Sequence, residues 1–390
     1  MKKHIGIVVT KPPVYSETFI TSKINGLIDI GYKVTVFSNA YKTGEYPYKL
    51  VCAWSPQPRW HLILKLPVII YYIFRNFARL CKYYKITLAE TDSKKYTFKY
   101  LISNFHILSH PIDQLHFEFA GLAINRETVA KAIGCKMTVS IRGYDVSIQP
   151  LKKGKQIKNI WKYIDEVHSI SDDITRKAIQ AGMPKNMPVT KIYPAINSQQ
   201  FKIKNNPGSI SSPLKLVSLG RMHWKKGYGY TFAALRLLKD QGVKFRYTLI
   251  GDGVQFEELI FTAKRLGLEN HIMFVGQKSP DEVISLLHQH DIFIQFSVQE
   301  GFSNAVLEAQ SCGLMVIGSD AEGLPENIID GETGWIVKKR NYIDLAEQIK
   351  KILNMSNAER EKIGNAASQR VKAHFNLNNQ SKAFDEFYGG

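Results

Sequence analysis

Short apolar runs alternate with amphipathic segments along the first half of the chain. Residues 4–10, 32–38 and 137–141 are apolar enough to predict buried strands. Residues 17–30 have helical spacing and precede Gly31, which predicts the end of a helix. Strands that alternate with helices form parallel sheets covered on both faces, so this half predicts such a sheet. The further strands predicted here are 115–119 and 166–171, and the further helix is 122–133.

The alternation restarts after a break at 197–213 that is rich in Asn, Pro, Gly and Ser. Such composition is typical of turns, and it places a domain linker near 196–212. The strands predicted after the break are 214–219, 245–250, 271–275, 292–296 and 314–318, and the helices between them are 227–241, 256–266, 281–289 and 304–311. This half therefore predicts a second doubly wound sheet.

The predicted fold class is α/β, with two doubly wound, Rossmann-like domains that face a cleft. We expect an N-terminal domain at 1–196, a C-terminal domain at 213–370, and a helical tail at 371–390 that packs back on the N-terminal domain. Ligands of open parallel sheets bind at the carboxyl ends of the strands. The chemistry is therefore expected in loops that follow strands.

The excess of positive over negative charge lies entirely in the first half of the chain. Residues 1–205 contain 31 Lys and Arg against 13 Asp and Glu, whereas 206–390 contain 21 of each. A one-sided basic field indicates an anionic partner, which could be nucleic acid, an anionic membrane face or a phosphorylated acceptor. A generally basic proteome is the alternative explanation.

We expect a cytoplasmic protein. Peripheral association with the inner face of the cell membrane is one option. No run of about 18 uncharged apolar residues is present, and the four widely separated cysteines indicate reduced core thiols. Residues 59–85 interleave aromatic and aliphatic side chains with cations. This segment predicts either an amphipathic helix on an anionic bilayer or a pair of core helices broken at Pro67.

A cationic turn follows the predicted strand 214–219. Arg221 offers a planar fork of donors and Lys226 a compact ammonium group, just before a predicted helix. Helix N-termini favour anions, so this turn suits a diphosphate and would stabilise it as a leaving group. The alternative is a solvated basic turn.

A second loop follows the predicted strand 292–296. Glu300 lies in this loop and Glu308 about one turn into the next helix, and each carboxylate could accept hydrogen bonds from a sugar diol. Gly301 permits close approach of the backbone to a ligand. The N–H groups expected to be free at the helix start are those of Phe302, Ser303 and Asn304. The alternatives are a capping acid for Glu300 and an exposed helix carboxylate for Glu308.

Here the sequence resembles the retaining glycosyltransferase family 4, whose signature is two glutamates separated by seven residues. The motifs that carry the resemblance are Gly220-Arg221 with Lys226-Gly227, Ile250-Gly251-Asp252-Gly253, Phe274-Val275-Gly276, Glu300 to Ala309, Gly323-Leu324-Pro325-Glu326, and Gly331 with Gly334-Trp335. The resemblance implies a GT-B fold, and it implies that Arg221 and Lys226 bind the diphosphate. It also implies that Glu300 binds the transferred sugar, that Glu308 binds the ribose, and that the amides of Gly301 to Asn304 contact sugar and phosphate.

Candidate acceptor contacts follow strands in the first half. His116 matches one of two histidines that the family often carries, and Glu118 stands in the place of the other. We expect His116 near the reacting sugar, with a structural role as the alternative; Glu118 is expected to bind a sugar hydroxyl or the acceptor, or else to form a salt bridge. Arg142 to Asp145 resemble a turn of exopolysaccharide transferases of the colanic acid and amylovoran type. Arg142 and Asp145 are thus acceptor candidates, or else a pair that holds the turn.

The same exopolysaccharide group is matched in its first loop by Tyr15-Ser16-Glu17-Thr18-Phe19, which adds Ser16 as an acceptor candidate. The chain departs from that group at Pro12-Pro13, where many relatives have paired glycines. The resemblance therefore does not extend to a glycine-loop contact with the leaving phosphate.

The expected function is transfer of a hexose from a nucleoside diphosphate sugar to a lipid-linked or oligosaccharide acceptor, with retained anomeric configuration, in cell-surface glycan biosynthesis. The donor sugar is a substrate, and no cofactor or essential metal is expected, in line with the lack of an Asp-x-Asp pair. A nucleotide-sugar epimerase of GT-B fold would use the donor site but not the basic half. A basic nucleic-acid-binding protein would explain the charge but not the paired glutamates, and no nucleic-acid module is visible. A dinucleotide-binding oxidoreductase would need a third glycine beside Gly251-Asp252-Gly253.

Overall fold

The computed structural model describes residues 2–13, 18–40, 44–53 and 60–389. The chain divides into two compact units, the first formed by Met1–Ile192 with Ser381–Gly390 and the second by Tyr193–Gln380. Each unit contains a parallel sheet with helices on it, so the fold class is α/β.

The first unit is built on a parallel sheet with the strand order β3-β2-β1-β4-β5-β6-β7. Its strands are β1 (His4–Val9), β2 (Lys33–Ser38), β3 (Lys49–Cys52), β4 (Gln114–Phe117), β5 (Lys136–Ile141), β6 (Glu166–Ser169) and β7 (Val189–Lys191). The strand order reverses between β1 and β4, where Ile7 is paired with both Val36 and His116. Buried apolar residues on both faces of β1 explain why its sequence is a continuous apolar run.

The helices of the first unit precede or connect these strands. They are α1 (Thr18–Asp29), α2 (Trp60–Arg75), α3 (Phe77–Thr91), α4 (Lys94–Leu108), α5 (Val129–Ile133), α6 (Gly143–Ser147), α7 (Gln149–Ile160) and α8 (Asp172–Gln180). Ser171 begins α8, because its hydroxyl accepts a hydrogen bond from the N–H of Ile174. The helix predicted at 122–133 is instead a 3₁₀ helix, Ala120–Leu122, followed by α5.

The second unit repeats this architecture with the strand order β10-β9-β8-β11-β12-β13. Its strands are β8 (Leu214–Leu219), β9 (Phe245–Ile250), β10 (Ile272–Gly276), β11 (Ile292–Gln295), β12 (Met315–Ser319) and β13 (Trp335–Val337). Its helices are α9 (Tyr228–Asp240), α10 (Phe256–Arg265), α11 (Pro280–His288), α12 (Asn304–Ser311), α13 (Leu324–Asn327), α14 (Tyr342–Asn354) and α15 (Asn357–His374), and α16 (Leu377–Phe387) follows them. The order reverses between β8 and β11, which makes their carboxyl ends the expected ligand site.

The unit boundaries differ from the predicted linker and tail. The segment 196–212 packs within the second unit, where Phe201 is buried and the Lys204 ammonium donates to the carbonyl of His290. Residues 371–380 also belong to the second unit, because α15 continues to His374. Residues 381–390 belong to the first unit, whose core of β1, α1 and β2 includes Phe384, Phe387 and Tyr388.

Two further expectations require correction. Helix α2 continues through Pro67, and the break before α3 lies at the buried Asn76, which donates from its N–H to the carbonyl of Tyr72. The prediction of core thiols holds for Cys312 alone, since Cys52 and Cys135 are half-buried and Cys81 is exposed. In the part of the chain that the structure describes, none of the helices has the length and apolar character needed to cross a membrane.

Candidate functional site

The cationic turn after β8 lies against the loop after β11. The carbonyl of Lys225 accepts hydrogen bonds from the N–H groups of Val298 and Gln299, at 2.7 and 3.2 Å. At Gly227 the backbone has a φ of 67°, and an added Cβ would lie 2.2 Å from the carbonyl oxygen of Phe296. Only glycine fits this left-handed, close approach. The sequence thus brings both chemistry-bearing loops together at the point where the strand order reverses.

An ion pair joins the two loops. The Lys226 ammonium donates to Glu300 Oε2 at 2.5 Å, with both side chains mostly buried. The same oxygen accepts from Gln295 Nε2 at 3.2 Å and from the Ser297 hydroxyl at 3.1 Å. Three donors on one carboxylate oxygen fix the Glu300 side chain in place. Gln295 and Ser297 were missed by sequence reasoning, although they are polar residues at the end of an apolar strand.

The backbone of Glu300 is held by the segment that follows β12. Its N–H donates to the Glu322 carboxylate at 2.5 Å, and its carbonyl accepts from the N–H of Gly323 at 2.9 Å. A Cβ at Gly323 would lie 1.8 Å from the carbonyl oxygen of Gly301, so the two loops touch through their backbones. The only sequence signal for this contact was the Gly323-Leu324-Pro325-Glu326 motif.

The amides at the start of α12 are only partly free. The N–H of Ser303 donates to Asn327 Oδ1 at 2.9 Å, so the prediction of a free Ser303 amide is wrong. Its hydroxyl caps α12 by accepting from the N–H of Val306. The N–H groups of Gly301, Phe302 and Asn304 donate to no described residue. These three amides can therefore donate to an anion or a hydroxyl.

The side chain of Phe302 turns away from that role. It is 8% exposed and packs against the rings of Tyr193 and Phe375, with centroids 5.2 and 5.7 Å away. This aromatic packing anchors the loop and fixes the direction of its backbone amides.

Glu308 lies in α12 with its side chain half-buried. Burial raises the pKa of its carboxyl group to about 8, and no described residue donates a hydrogen bond to it. A carboxyl group with unfilled acceptor capacity is suited to a ligand that brings hydroxyl donors.

Arg221 extends the cationic turn into solvent. It is exposed, and its guanidinium forms no ion pair with any residue of the described ranges. The neighbouring Lys226 side chain passes over Gly220, since its Cε would lie 3.2 Å from a Cβ added there. Partial burial, together with the charges of Lys225 and Arg221, lowers the pKa of His223. The turn therefore presents a positive field that can neutralise a polyanion.

Comparison with known proteins identifies the second unit. Residues 199–370 match the family model described as glycosyl transferases group 1. The second unit therefore contains a group 1 glycosyl transferase domain, and the protein is a glycosyltransferase.

This glycosyltransferase is similar to proteins of exopolysaccharide synthesis along most of its length. It is 27% identical to the amylovoran biosynthesis glycosyltransferase of Erwinia amylovora, over 93% of this chain and 94% of the relative. It is 25% identical to an Escherichia coli glycosyltransferase assigned to colanic acid biosynthesis, over 95% of this chain and 96% of the relative. The structure of Anabaena HepE in complex with UDP and glucose matches with a TM-score of 0.73 at 15% identity, over 99% of both chains. The fold of the glycosyltransferase is GT-B.

In the first unit of the glycosyltransferase, His116 belongs to a buried polar ladder across β4, β5 and β6. Its ring nitrogens pair with the hydroxyls of Thr138 and Ser140, both at 2.9 Å, and Ser140 also pairs with His168 at 2.8 Å. Burial, and then the charge of Lys23, hold the pKa of His116 well below its usual range. The prediction of a catalytic His116 does not fit this position, because the ring is fully buried.

Glu118 follows β4 and is fully buried in a cluster of charges. Its carboxylate accepts from the Lys23 ammonium at 2.5 Å and from the Arg142 guanidinium at 3.4 Å. Burial lowers the pKa of Lys23 to about 8, although the charge of Glu118 opposes that shift. The guanidinium of Arg142 also stacks on Phe19, 3.8 Å from the ring centroid. Glu118 thus forms the salt bridges that were the alternative to an acceptor contact.

Asp145 is buried at the start of α6. Its carboxylate accepts from the N–H groups of Gly121 and Arg142, at 3.3 and 3.1 Å, and burial raises its pKa to about 7. It holds the turn through the backbone N–H of Arg142, which was the alternative to an acceptor contact. Arg142 keeps a partly exposed side chain. Ser16 lies outside the described residues.

Proposed function

We propose that this glycosyltransferase moves a hexose from a nucleoside diphosphate sugar to a lipid-linked or oligosaccharide acceptor, with retention of anomeric configuration, in exopolysaccharide synthesis. The observation that carries the proposal is the joined pair of loops after β8 and β11. In these loops the Lys226 ammonium lies beside Glu300, just before the free amides at the start of α12, and Arg221 belongs to the same cationic turn. The relatives in amylovoran and colanic acid biosynthesis support the biosynthetic role.

The leaving diphosphate is the species that this site suits best. Departure of a nucleoside diphosphate transfers negative charge to its terminal phosphate, and fixed cations and amides aimed at that charge lower the barrier. Arg221 and Lys226 supply the cations, and the amides of Gly301, Phe302 and Asn304 supply neutral donors. Anabaena HepE was crystallised with UDP and with UDP-glucose, which makes uridine nucleotides the first donors to test.

The two carboxylates hold hydroxyl groups on either side of the diphosphate. Glu300 is oriented by Gln295 and Ser297 and accepts from the hydroxyls of the transferred hexose. Glu308 accepts from the ribose diol. Neither acts as a nucleophile: departure and attack take place on the same face of the sugar, and this preserves the anomeric configuration.

Thermal-shift screening against a panel of UDP- and GDP-sugars tests the donor site. A bound donor raises the melting temperature because it binds the folded state alone. We expect one nucleotide class to raise it, and the same donors to release nucleoside diphosphate when an acceptor glycan is added. Release without an acceptor, coupled to interconversion of the sugar, would favour the epimerase alternative instead.

Donor affinity should depend on pH through Glu308. The carboxyl group has a pKa of about 8 in the free protein, and the ribose hydroxyls need the ionised form as acceptor. Between pH 6.5 and 8, affinity for the nucleotide sugar should therefore rise by up to about tenfold per pH unit, and it should level off above pH 8. Isothermal titration calorimetry at several pH values measures this rise.

Glu308→Gln is the matched variant for that titration. The amide keeps the shape of the side chain but does not ionise, so its affinity profile should be flat over the same range. An equally steep rise in the variant would show that another group controls donor binding.

We further propose that α2 and α3 contact an anionic membrane, which would place the enzyme beside a lipid-linked acceptor. Ile70, Tyr71, Phe74 and Phe77 are 45%, 56%, 78% and 61% exposed, which is unusual for large apolar side chains next to one another. Cations flank them on the same helices: Arg75, Lys82 and Lys85 are exposed. Aromatic side chains with adjacent cations are typical of segments that insert at the headgroup level of anionic bilayers.

Sedimentation with vesicles tests the membrane contact. The protein should bind phosphatidylcholine vesicles that contain phosphatidylglycerol and bind pure phosphatidylcholine weakly. Phe74→Ser/Phe77→Ser should lower binding at least about tenfold, since each ring loses more than 1 kcal/mol of burial in the bilayer. The control is Ile260→Ser/Phe261→Ser, which replaces exposed apolar residues of the second unit. Equal losses in both variants would count against α2 and α3 as the contact.

A further inference from the structure

A cavity of about 610 Å³ lies in the first unit, between α3, α4, α7 and the segment that precedes α5. This volume is in the range of small-molecule sites. The residues that follow β4 and β5, Glu118 and Arg142, do not line it. It is therefore separate from the carboxyl edge of the sheet, where the acceptor candidates were predicted.

The floor of the cavity offers hydroxyl groups. The Thr87 and Thr128 hydroxyls pair at 2.7 Å, and the hydroxyl of the buried Tyr83 accepts from Asn104 Nδ2 at 3.0 Å. Tyr100 adds a second aromatic ring to the lining. Neutral hydroxyls and aromatic rings in one polar cavity suit a ligand that carries both hydroxyl groups and C–H faces.

One wall carries carboxylates. Glu127 is half-buried, and burial raises its pKa. Glu90 also lines the cavity, together with the rings of Tyr83, Tyr100 and Tyr163. Carboxylates accept paired hydrogen bonds from neighbouring sugar hydroxyls.

The α7 side of the cavity carries lysines. Lys155, Lys158 and Lys162 line the cavity at spacings of three and four residues, which places them along one face of α7 and its continuation. None of the three forms an ion pair with a residue of the described ranges. Three cations without partners attract a ligand that is negatively charged at the end facing them.

We infer that this cavity binds an acidic oligosaccharide, with its hydroxyls on the carboxylate and threonine side and its carboxylates on the lysine side. The assignment rests on the proposed function, because a glycosyltransferase that extends an oligosaccharide has such a chain at hand, and the lysines favour one that carries negative charge. A second binding site for the glycan would keep the glycan bound to the enzyme between transfers and would raise its effective concentration at the site of transfer.

Calorimetric titration of the full chain tests the site with three probes: trigalacturonic acid, maltotriose and inorganic phosphate. Trigalacturonic acid should bind, and maltotriose should bind at least about tenfold more weakly, because it lacks the charge that the lysines attract. Lys158→Ala/Lys162→Ala should weaken the binding of trigalacturonic acid by at least about tenfold. Lys152→Ala/Lys153→Ala, which removes the same charge from exposed positions of α7 outside the cavity, should leave it unchanged.

Three results would overturn the inference. The first is that trigalacturonic acid does not bind, and the second is that both double lysine variants weaken its binding equally. The third is that phosphate binds as tightly as the trisaccharide, which would indicate a simple anion site. Binding of the nucleotide sugar is measured in these three proteins, the wild type and the two lysine variants, and in Glu308→Gln. If the wild type did not bind the nucleotide sugar, the proposed function would be refuted. The cavity variants should bind the nucleotide sugar as tightly as the wild type does.

Discussion

Replacing Lys226 with alanine should lower kcat about 10²–10³-fold, the usual cost of removing one fixed group that stabilises transition-state charge. The ammonium at this position is held 2.5 Å from Glu300 in the free protein and is therefore positioned before the donor arrives. Without this ammonium group, less positive charge surrounds the diphosphate when its bond to the sugar breaks. The measurement is the initial rate of nucleoside diphosphate release at saturating donor and acceptor.

Lys244→Ala is the control for that change, because it removes an exposed positive charge from the same unit, in the turn before β9. Its rate should match that of the wild type. Glu300→Ala should lose a similar amount of activity, and the double variant with Lys226→Ala should lose little more, since residues that act as a unit are not additive. Wild-type activity in either single variant, with the fold intact, would remove that residue from the proposed site.

Glu118→Ala should destabilise the first unit by about 3–5 kcal/mol, because it leaves the buried Lys23 and Arg142 without their shared carboxylate. For a unit of this size, that loss lowers the melting temperature by at least about 6 °C. Calorimetry of wild type and variant measures the difference. The deficit should shrink as the pH rises towards about 8 and level off above it, because Glu118 raises the pKa of Lys23 and the unpaired amine of the variant therefore loses its proton at a lower pH than in the wild type.

Two further variants separate the buried pair from ordinary surface charge. Lys23→Met/Glu118→Leu should recover most of the stability, because the fully buried ammonium and carboxylate are removed together and only the partly exposed Arg142 guanidinium loses its partner. Lys136→Ala, which removes an exposed partner of Glu166, should cost less than about 1 kcal/mol. If Glu118→Ala cost no more than Lys136→Ala, the buried cluster would not stabilise the unit as described.

The sheets could be predicted because the sequences of buried parallel strands are continuous apolar runs. Strands β8, β9 and β11 were found nearly residue for residue in this way. The edge strands β3 and β7 were not, because they are short and only partly buried, and their sequences lack that signature. The helix predicted at 122–133 was also wrong. The 3₁₀ helix Ala120–Leu122 and the short helix α5 together have the apolar spacing of one longer helix.

The closeness of the loops that carry Lys226 and Glu300 follows from the predicted sheet, although the residues are 74 positions apart; the ion pair between them was not predicted. Both follow strands, and β8 and β11 are neighbours where the strand order reverses. The burial of His116 could not be foreseen. Its ring is covered by Phe387 and Tyr388, and no local pattern connects such distant parts of the sequence. The occupied Ser303 amide likewise depends on Asn327, which belongs to another loop.

The placement of Phe384, Phe387 and Tyr388 in the core of the first unit has a consequence for biosynthesis. On the ribosome, residues 193–380 must all be translated before those three rings emerge. At an elongation rate of about 5–20 residues per second this takes on the order of ten seconds or more, during which β1, α1 and β2 lack part of their cover. The nascent first unit is thus an exposed client for chaperones until the segment made after the second unit reaches it.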